Sequence, residues 1–337
     1  SITMTYKHRF FRFVIGLCAA IALCAACSED DKPIIPLPPL DPPASTGEKV
    51  IALVEQNPSR VALVDRTTGE MLWHWTPADS DLTVAEQAWF ELPDEVKPIY
   101  DCKYLLITAT RGGVAIIRIE DKRVMFYACP KGQPHSAELL PDGNVVVASS
   151  TDGTADGDKL RLYEVDFGRR FASEPVATYP LTFGHNAVWD RTNELLWATA
   201  GDVIHTYRYT RSDGRPALVL QDTYPLPEGQ NNAHELFPVY GLNQLWLTTP
   251  NAIWKFNVST KEFVRFNAST TANIKCVSSG PADYETILLY PTQSYWSDKL
   301  IDTGGRSVYQ RDGAQIYKGR WMLNNTFSYP ADHQPQS

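Results

Sequence analysis

Between residues 50 and 323 the apolar positions come in short blocks. Some alternate with polar residues and some are continuous, and turn formers interrupt them about every eight to twelve positions. Residues 50–56, 60–65 and 71–75 form one group, with turns at Asn57-Pro58-Ser59 and Thr67-Thr68-Gly69. Residues 95–99, 104–109, 114–119 and 123–128 form a second. The pattern predicts short strands. Only residues 84–90 suggest a helix, and a short one, because nothing here sustains a 3.6-residue period. The expected fold is all-β.

One strand–turn–strand plan then repeats. Pro134-His135-Ser136-Ala137-Glu138-Leu139-Leu140 turns at Pro141-Asp142-Gly143-Asn144 into Val145-Val146-Val147. Gly184-His185-Asn186-Ala187-Val188-Trp189-Asp190 precedes Leu195-Leu196-Trp197, and Ala233-His234-Glu235-Leu236 precedes Gln244-Leu245-Trp246. His135 and His185 are 50 positions apart, His185 and His234 49. A period near 50 with several strands per unit predicts a β-propeller, one blade per unit. Matching the first strand of each unit puts Gln56, Lys97, His135, His185, His234 and Lys275 in one column, so six blades are expected, with seven the alternative. In a propeller the first strand of each blade lines the central channel, and the column should ring it.

Three neutral imidazoles meeting at His135, His185 and His234 suit one divalent metal, Mn or Zn being the candidates. Lys97 and Lys275 pull the other way, repelling a dication and attracting a carboxylate, sulfate or phosphate. In a third reading the ring only fills the channel. Gln293 and Trp296 belong to an aromatic and polar stretch, residues 290–298, that either stacks on a sugar over the channel or covers an edge. Strand alternation places Glu138 on the face opposite His135. Glu235 is expected to reach the rim as an acid or base, and Asp190 to cap a turn. His74 and His205 are expected to be structural. No Walker loop, dinucleotide fingerprint or GxSxG motif occurs, which speaks against nucleotide and α/β-hydrolase chemistry.

The amino terminus adds a compartment. Lys7, Arg9 and Arg12 precede an apolar run, residues 13–23, too short to span a bilayer. Ala25-Ala26-Cys27 resembles a bacterial lipobox, which makes Cys27 the lipidated residue, with an ordinary secretory cleavage near Ala26 as the alternative. Ser28-Glu29-Asp30-Asp31 resembles a surface-export signal, and prolines between residues 33 and 43 predict an extended tether. The expected organisation is a leader at 1–26, a tether at 27–47, a propeller at 48–330 and an unstructured tail at 331–337. The expected location is the outer membrane, held by the lipid on Cys27 and facing outward, with the periplasmic face as the alternative.

Loss of the leader removes three of the 31 basic residues and none of the 39 acidic ones, leaving 28 against 39, a charge of −11. That balance disfavours nucleic acid, which wants a basic stripe, yet leaves room for an anionic ligand in a locally positive channel. A monomer is expected. Of the six cysteines, Cys102, Cys129 and Cys276 remain beyond Cys27. Their spacing makes no zinc site, and Cys102 and Cys129 are read either as a pair or as free thiols.

The segments around Lys97, His135, His185, His234 and Lys275 resemble a propeller family common among Bacteroidetes lipoproteins and known as a domain of unknown function. The resemblance spans residues 48–325, and its most specific part is His135-Ser136-Ala137-Glu138-Leu139-Leu140-Pro141-Asp142-Gly143-Asn144. Asn186 and Cys276 depart from that family's pattern. The three-histidine column is also similar to that of oligogalacturonate lyase propellers. That likeness implies a metal on His135, His185 and His234, with Gln56 or Gln293 as a fourth ligand, and an acidic oligosaccharide as substrate. Arylsulfotransferase-type propellers offer a second analogy. The open function classes are an acidic-glycan binder, a metal-dependent lyase or hydrolase, and a protein-interaction platform.

Overall fold

The computed structural model describes residues 48–336; the leader and the tether lie outside the described residues. Six sheets, antiparallel but for one short strand of the second, follow one another along the chain. The first contains β1 (Val50–Glu55), β2 (Arg60–Asp65) and β3 (Met71–Trp75). The second contains β4 (Pro93–Ile99), β5 (Tyr104–Ala109), β6 (Val114–Arg118) and β7 (Val124–Ala128). The third contains β8 (Pro134–Leu139), β9 (Val145–Ser149) and β10 (Lys159–Tyr163). The following strand, β11 (Phe171–Ala172), joins β7 of the second sheet in parallel, while β12 (Ala177–Pro180) completes the third.

The fourth sheet runs β13 (Asn186–Asp190), β14 (Leu195–Ala200), β15 (Val203–Thr210) and β16 (Ala217–Pro225). The fifth runs β17 (Glu235–Pro238), β18 (Gln244–Thr249), β19 (Ala252–Asn257) and β20 (Phe263–Phe266). The sixth runs β21 (Cys276–Ser278), β22 (Ile287–Leu289), β23 (Lys299–Ile301) and β24 (Ser307–Gln310). The last strand, β25 (Ile316–Trp321), pairs with β1 and becomes the innermost strand of the first sheet. Inner strands β4, β8, β13, β17, β21 and β25 each contact the next, and β25 contacts β4. The circle is closed, and the fold is a six-bladed β-propeller.

The continuous apolar runs follow from this packing. A blade is covered on both faces, so both sets of alternating side chains are buried. In β9, Val145 and Val147 pack on the second blade with Leu106 and Phe126, while Val146 and Ala148 pack on the fourth with Trp189 and Leu196. Each of the six interfaces between neighbouring blades has its own apolar cluster. Among the described residues no helix is long and apolar enough to cross a membrane. The short helix expected at residues 84–90 forms as an α-turn, Val84–Gln87, and a 3-10 turn, Ala88–Phe90.

Two expectations need correction. The segment at 50–56 is a second strand, not a first one, because β25 lies inside it; the chain's two ends interlock to close the ring. Nor is the tail wholly unstructured. His333 stacks on Tyr329 and lies 4.8 Å from the Tyr100 ring. Cys102 and Cys129 are free thiols.

Candidate functional site

The inner strands enter the channel through a repeated backbone device. Leu92, Gln133, Phe183, Asn232 and Asn273 all have φ between 53° and 57°. Each stands two residues before a ring position, in five successive blades. Left-handed backbone is unfavourable for side chains with a Cβ, most of all for bulky ones such as Leu92 and Phe183. Register then defines the ring. Glu95, Ser136, Asn186, Glu235, Cys276 and Lys318 face equivalent positions of their neighbouring strands, Thr108, Ala148, Thr199, Thr248, Leu289 and Val54. The residues just before them form the mouth tier: Asp94, His135, His185, His234, Lys275 and Tyr317.

Two sequence assignments therefore move. Gln56 follows β1, and its amide donates to the carbonyl of Pro93 at 2.8 Å, outside the column. Lys97 is three residues beyond the mouth position, which Asp94 fills instead. The sixth member is Tyr317 on β25. Pro93 and Pro134, each directly before a mouth residue, are the signal that aligns Asp94 with His135.

His135, His185 and His234 do come together, with ring centroids 4.2 Å apart for the first pair and 5.6 Å for the second. His135 Nδ1 donates to the Gln133 carbonyl at 2.8 Å, and His185 Nδ1 is 3.1 Å from Ser150 Oγ. Their Nε2 atoms are left for other partners. Phe183 stacks on His185 at 4.0 Å. Burial pushes His135 down to about 4 and His234 to about 3, and takes His185 well below its usual range, so all three are neutral at pH 7.

Lys275 is the odd member. It is 7% exposed, and among the described residues no carboxylate lies within ion-pair distance of its ammonium. Its Nζ is 3.4 Å from His234 Nε2 and 5.9 Å from the Tyr295 ring. Burial, with Lys318 nearby, pulls its amine down to about 8. His234 Nδ1 is buried without a hydrogen-bond partner. Burial raises Asp94 to about 7, against the hydroxyl donors Thr108 and Thr110 that favour its ionised form.

Beneath the mouth the channel is filled by charge. Lys318 Nζ lies 3.3 Å from Glu95 and 3.4 Å from Glu235, and Arg320 reaches both carboxylates. The Arg320 guanidinium also sits 3.8 Å from the centre of the Phe237 ring. Burial opposes ionisation of Glu95, yet Arg320 and Lys318 hold it down to about 2. Glu235 is thus an ion-pair partner deep in the channel, not the acid or base expected at the rim. Glu138 also faces this deep region. The irregular ladder between Pro134 and Ser136 shifts the strand's phase, so simple alternation from His135 misplaces it. Its carboxylate lies 3.7 Å from Lys97, takes the Trp189 N–H at 2.9 Å and binds the Tyr329 hydroxyl. Farther on, a cavity of about 30 Å³, room for one water, lies between the inner strands and residues 323–329.

The remaining candidates fall at the edges. Gln293 and Trp296 bridge each other in a tight turn, and Gln293 is exposed. It is Tyr295, 64% exposed, that stands over Lys275. Asp190 caps its turn, accepting from Asn193 and from the Trp197 indole. His205 pairs with Thr223 on outer strands. Among the described residues no group of three or more His, Cys, Asp or Glu side chains is arranged to hold a metal ion.

No curated protein matches this sequence. Among solved structures, a protein of unknown function from Bacteroides caccae is similar in fold, with a TM-score of 0.50 at 15% identity, over 83% of this chain and 100% of that one. The model of a family of unknown function, DUF6528, matches residues 8–336, and the chain belongs to that family.

Proposed function

We propose that this propeller binds a carboxylate-bearing ligand, such as an acidic oligosaccharide, at the histidine mouth of its channel. The observation that carries this reading is Lys275: a buried ammonium with no counter-ion among the described residues, set beside the neutral imidazoles. A buried charge is normally paired. An incoming carboxylate would pair it, and the imidazole nitrogens would take up protons to complete the shell. Tyr295 and Phe183 offer ring faces beside this polar floor, as sugar ligands require.

The metal reading uses the same imidazoles but fits less well. Lys275 Nζ already lies against His234 Nε2, so a dication would meet an ammonium at one of its own ligands. The glycan partner comes with the anchor at Cys27, which the leader pattern supports; palmitate labelling that is abolished in Cys27→Ala checks it.

Titration calorimetry with galacturonate oligomers, against neutral galactose oligomers, tests the site. Acidic oligomers should bind and neutral ones should not. Lys275→Met should weaken binding by about tenfold or more, the worth of one charge-assisted contact, while Lys275→Arg retains it. Equal binding of both sugars, or full affinity in Lys275→Met, would overturn the proposal. One equivalent of Zn or Mn in chain purified without a tag, lost when all three histidines are replaced, would favour the metal centre instead.

A further inference from the structure

We propose that the acidic ligand is a polymer, and that it leaves the mouth across the top of the second blade to stack on Phe171 at that blade's outer edge. This rests on the carboxylate reading above and extends it from one acid group to a chain. The starting observation is an exposed ring. Phe171 is 45% exposed although it belongs to β11, the short strand that follows β10 and covers the edge of the second blade. Covering an edge needs only backbone, whereas an apolar ring left in water marks a surface that binds something. Phe171 stacks on Tyr127 at 5.0 Å, and the Trp89 ring lies 5.9 Å away. The rings are held in place. Tyr127 donates its hydroxyl to Glu86 at 2.7 Å, and Arg170 makes two 2.9 Å bonds to Asp81. A fixed apolar face edged by hydrogen-bonding groups suits a sugar ring, whose C–H face is apolar and whose hydroxyls lie around its rim.

The platform lies level with the mouth. Glu95, directly after the mouth residue Asp94, pairs across the sheet with Thr108, Thr108 with Val114, Val114 with Ala128, and Ala128 with Ala172 beside Phe171. Those four steps span about 19 Å. Two exposed cations mark the way. Arg111 sits in the turn between β5 and β6, and Lys131 is joined to that turn by its N–H, which donates to the Gly112 carbonyl at 3.1 Å. The same turn reaches the platform, because the Gly113 N–H donates to the Trp89 carbonyl at 2.9 Å. Among the described residues Glu91, 4.0 Å from Arg111, is the carboxylate within ion-pair distance of these cations, so one positive charge is left over between mouth and platform. Over the third blade, the loop between β9 and β10 instead carries Asp152, Asp156 and Asp158, which repel a polyacid.

The test is titration calorimetry of digalacturonate and decagalacturonate on the full chain and on two variants, Phe171→Ala and Arg111→Gln combined with Lys131→Gln. All three side chains are exposed and lie away from the mouth, so the variants keep the fold and the first site. The dimer fills the mouth alone and should bind the three proteins alike. The decamer should bind the unaltered chain more tightly, and each variant should weaken it about threefold to tenfold, the range for one ring stack or for exposed charge pairs. If either variant holds the decamer as tightly as the unaltered chain, or loses the dimer to the same degree, the path over the second blade is overturned while the mouth reading stands. If neither oligomer binds the unaltered chain, the mouth reading falls and takes the path with it.

Discussion

The mouth and the depth of the channel are built from the same six strands only one to three residues apart, yet they treat charge in opposite ways. In the deep region Glu95, Glu138 and Glu235 face Lys97, Lys318 and Arg320, three acids against three bases, and each charge has an opposite partner. At the mouth, one ammonium stands with neutral imidazoles, and the tier's one acid, Asp94, is raised to about 7 and lies by His135, not within ion-pair distance of Lys275. Burial costs a charge the same in either place, and pairing offsets that cost only below. The deep tier therefore has the character of a structural plug, whereas the mouth keeps an unmet electrostatic demand that a ligand can satisfy.

The sharpest way to break this contrast is to remove a deep cation. Arg320 touches two blades' carboxylates from the strand that closes the ring, so Arg320→Met leaves Glu95 and Glu235 with Lys318 alone. Loss of about 3–5 kcal/mol is expected in urea unfolding, as for other broken buried pairs. A loss under about 1 kcal/mol would mean that the deep network is not the plug described here. The Tyr329 hydroxyl ties the C-terminal segment to the Glu138 carboxylate and accepts the Leu139 N–H. Tyr329→Phe should cost about 1.5–3 kcal/mol, the range for a hydrogen bond to a charged group. Differential scanning calorimetry would show it.

How much of this was legible beforehand differs between the same two regions. The propeller and three of the mouth residues are legible in the histidine period, because each histidine begins an inner strand, and the blade count in the six matched units. Asp94 is hidden because an acid breaks the column of largely basic side chains, and Lys97, the nearest cation, fits the column in its place. Tyr317, Lys318 and Arg320 are hidden for a topological reason. Their strand pairs with β1, from the other end of the chain, and no local pattern encodes a pairing across that distance. The deep network is therefore not legible, since two of its three cations sit on that strand. The left-handed residues before five of the six ring positions are also hidden; Leu92 and Phe183 are not residues that announce positive φ.

Acid separates the two tiers by their titrations. The mouth histidines have folded values near 4 and 3, below their usual 6.5, so the unfolded chain binds more protons as pH falls through 6.5. Stability should drop by about 1.4 kcal/mol per pH unit for each such histidine. Asp94 opposes this between about 7 and 4, because its raised value makes the folded state the one that holds the proton. The histidines outnumber it, and the net slope remains a loss. Glu95, held near 2, adds a second loss only below about 4.5. Changing His135, His185 and His234 together to Gln should abolish the loss between pH 6.5 and 4.5, leaving Asp94's opposing gain there, and keep the lower limb. Unfolding midpoints measured across that range would show whether the limbs separate.

The smallest effect carries the opposite sign. Lys275→Met replaces a buried, unpaired ammonium by an apolar chain of similar length, and removing such a charge relieves a desolvation cost without orphaning a carboxylate. Among the described residues the polar partner left behind is His234 Nε2, a neutral nitrogen close to an exposed loop. Stability should be unchanged or rise by up to about 1 kcal/mol. A site that weakens the fold in the absence of its ligand is expected where function, not folding, sets the residue. If Lys275→Met instead unfolds as readily as Arg320→Met, Lys275 belongs to the plug, and the distinction between mouth and depth collapses.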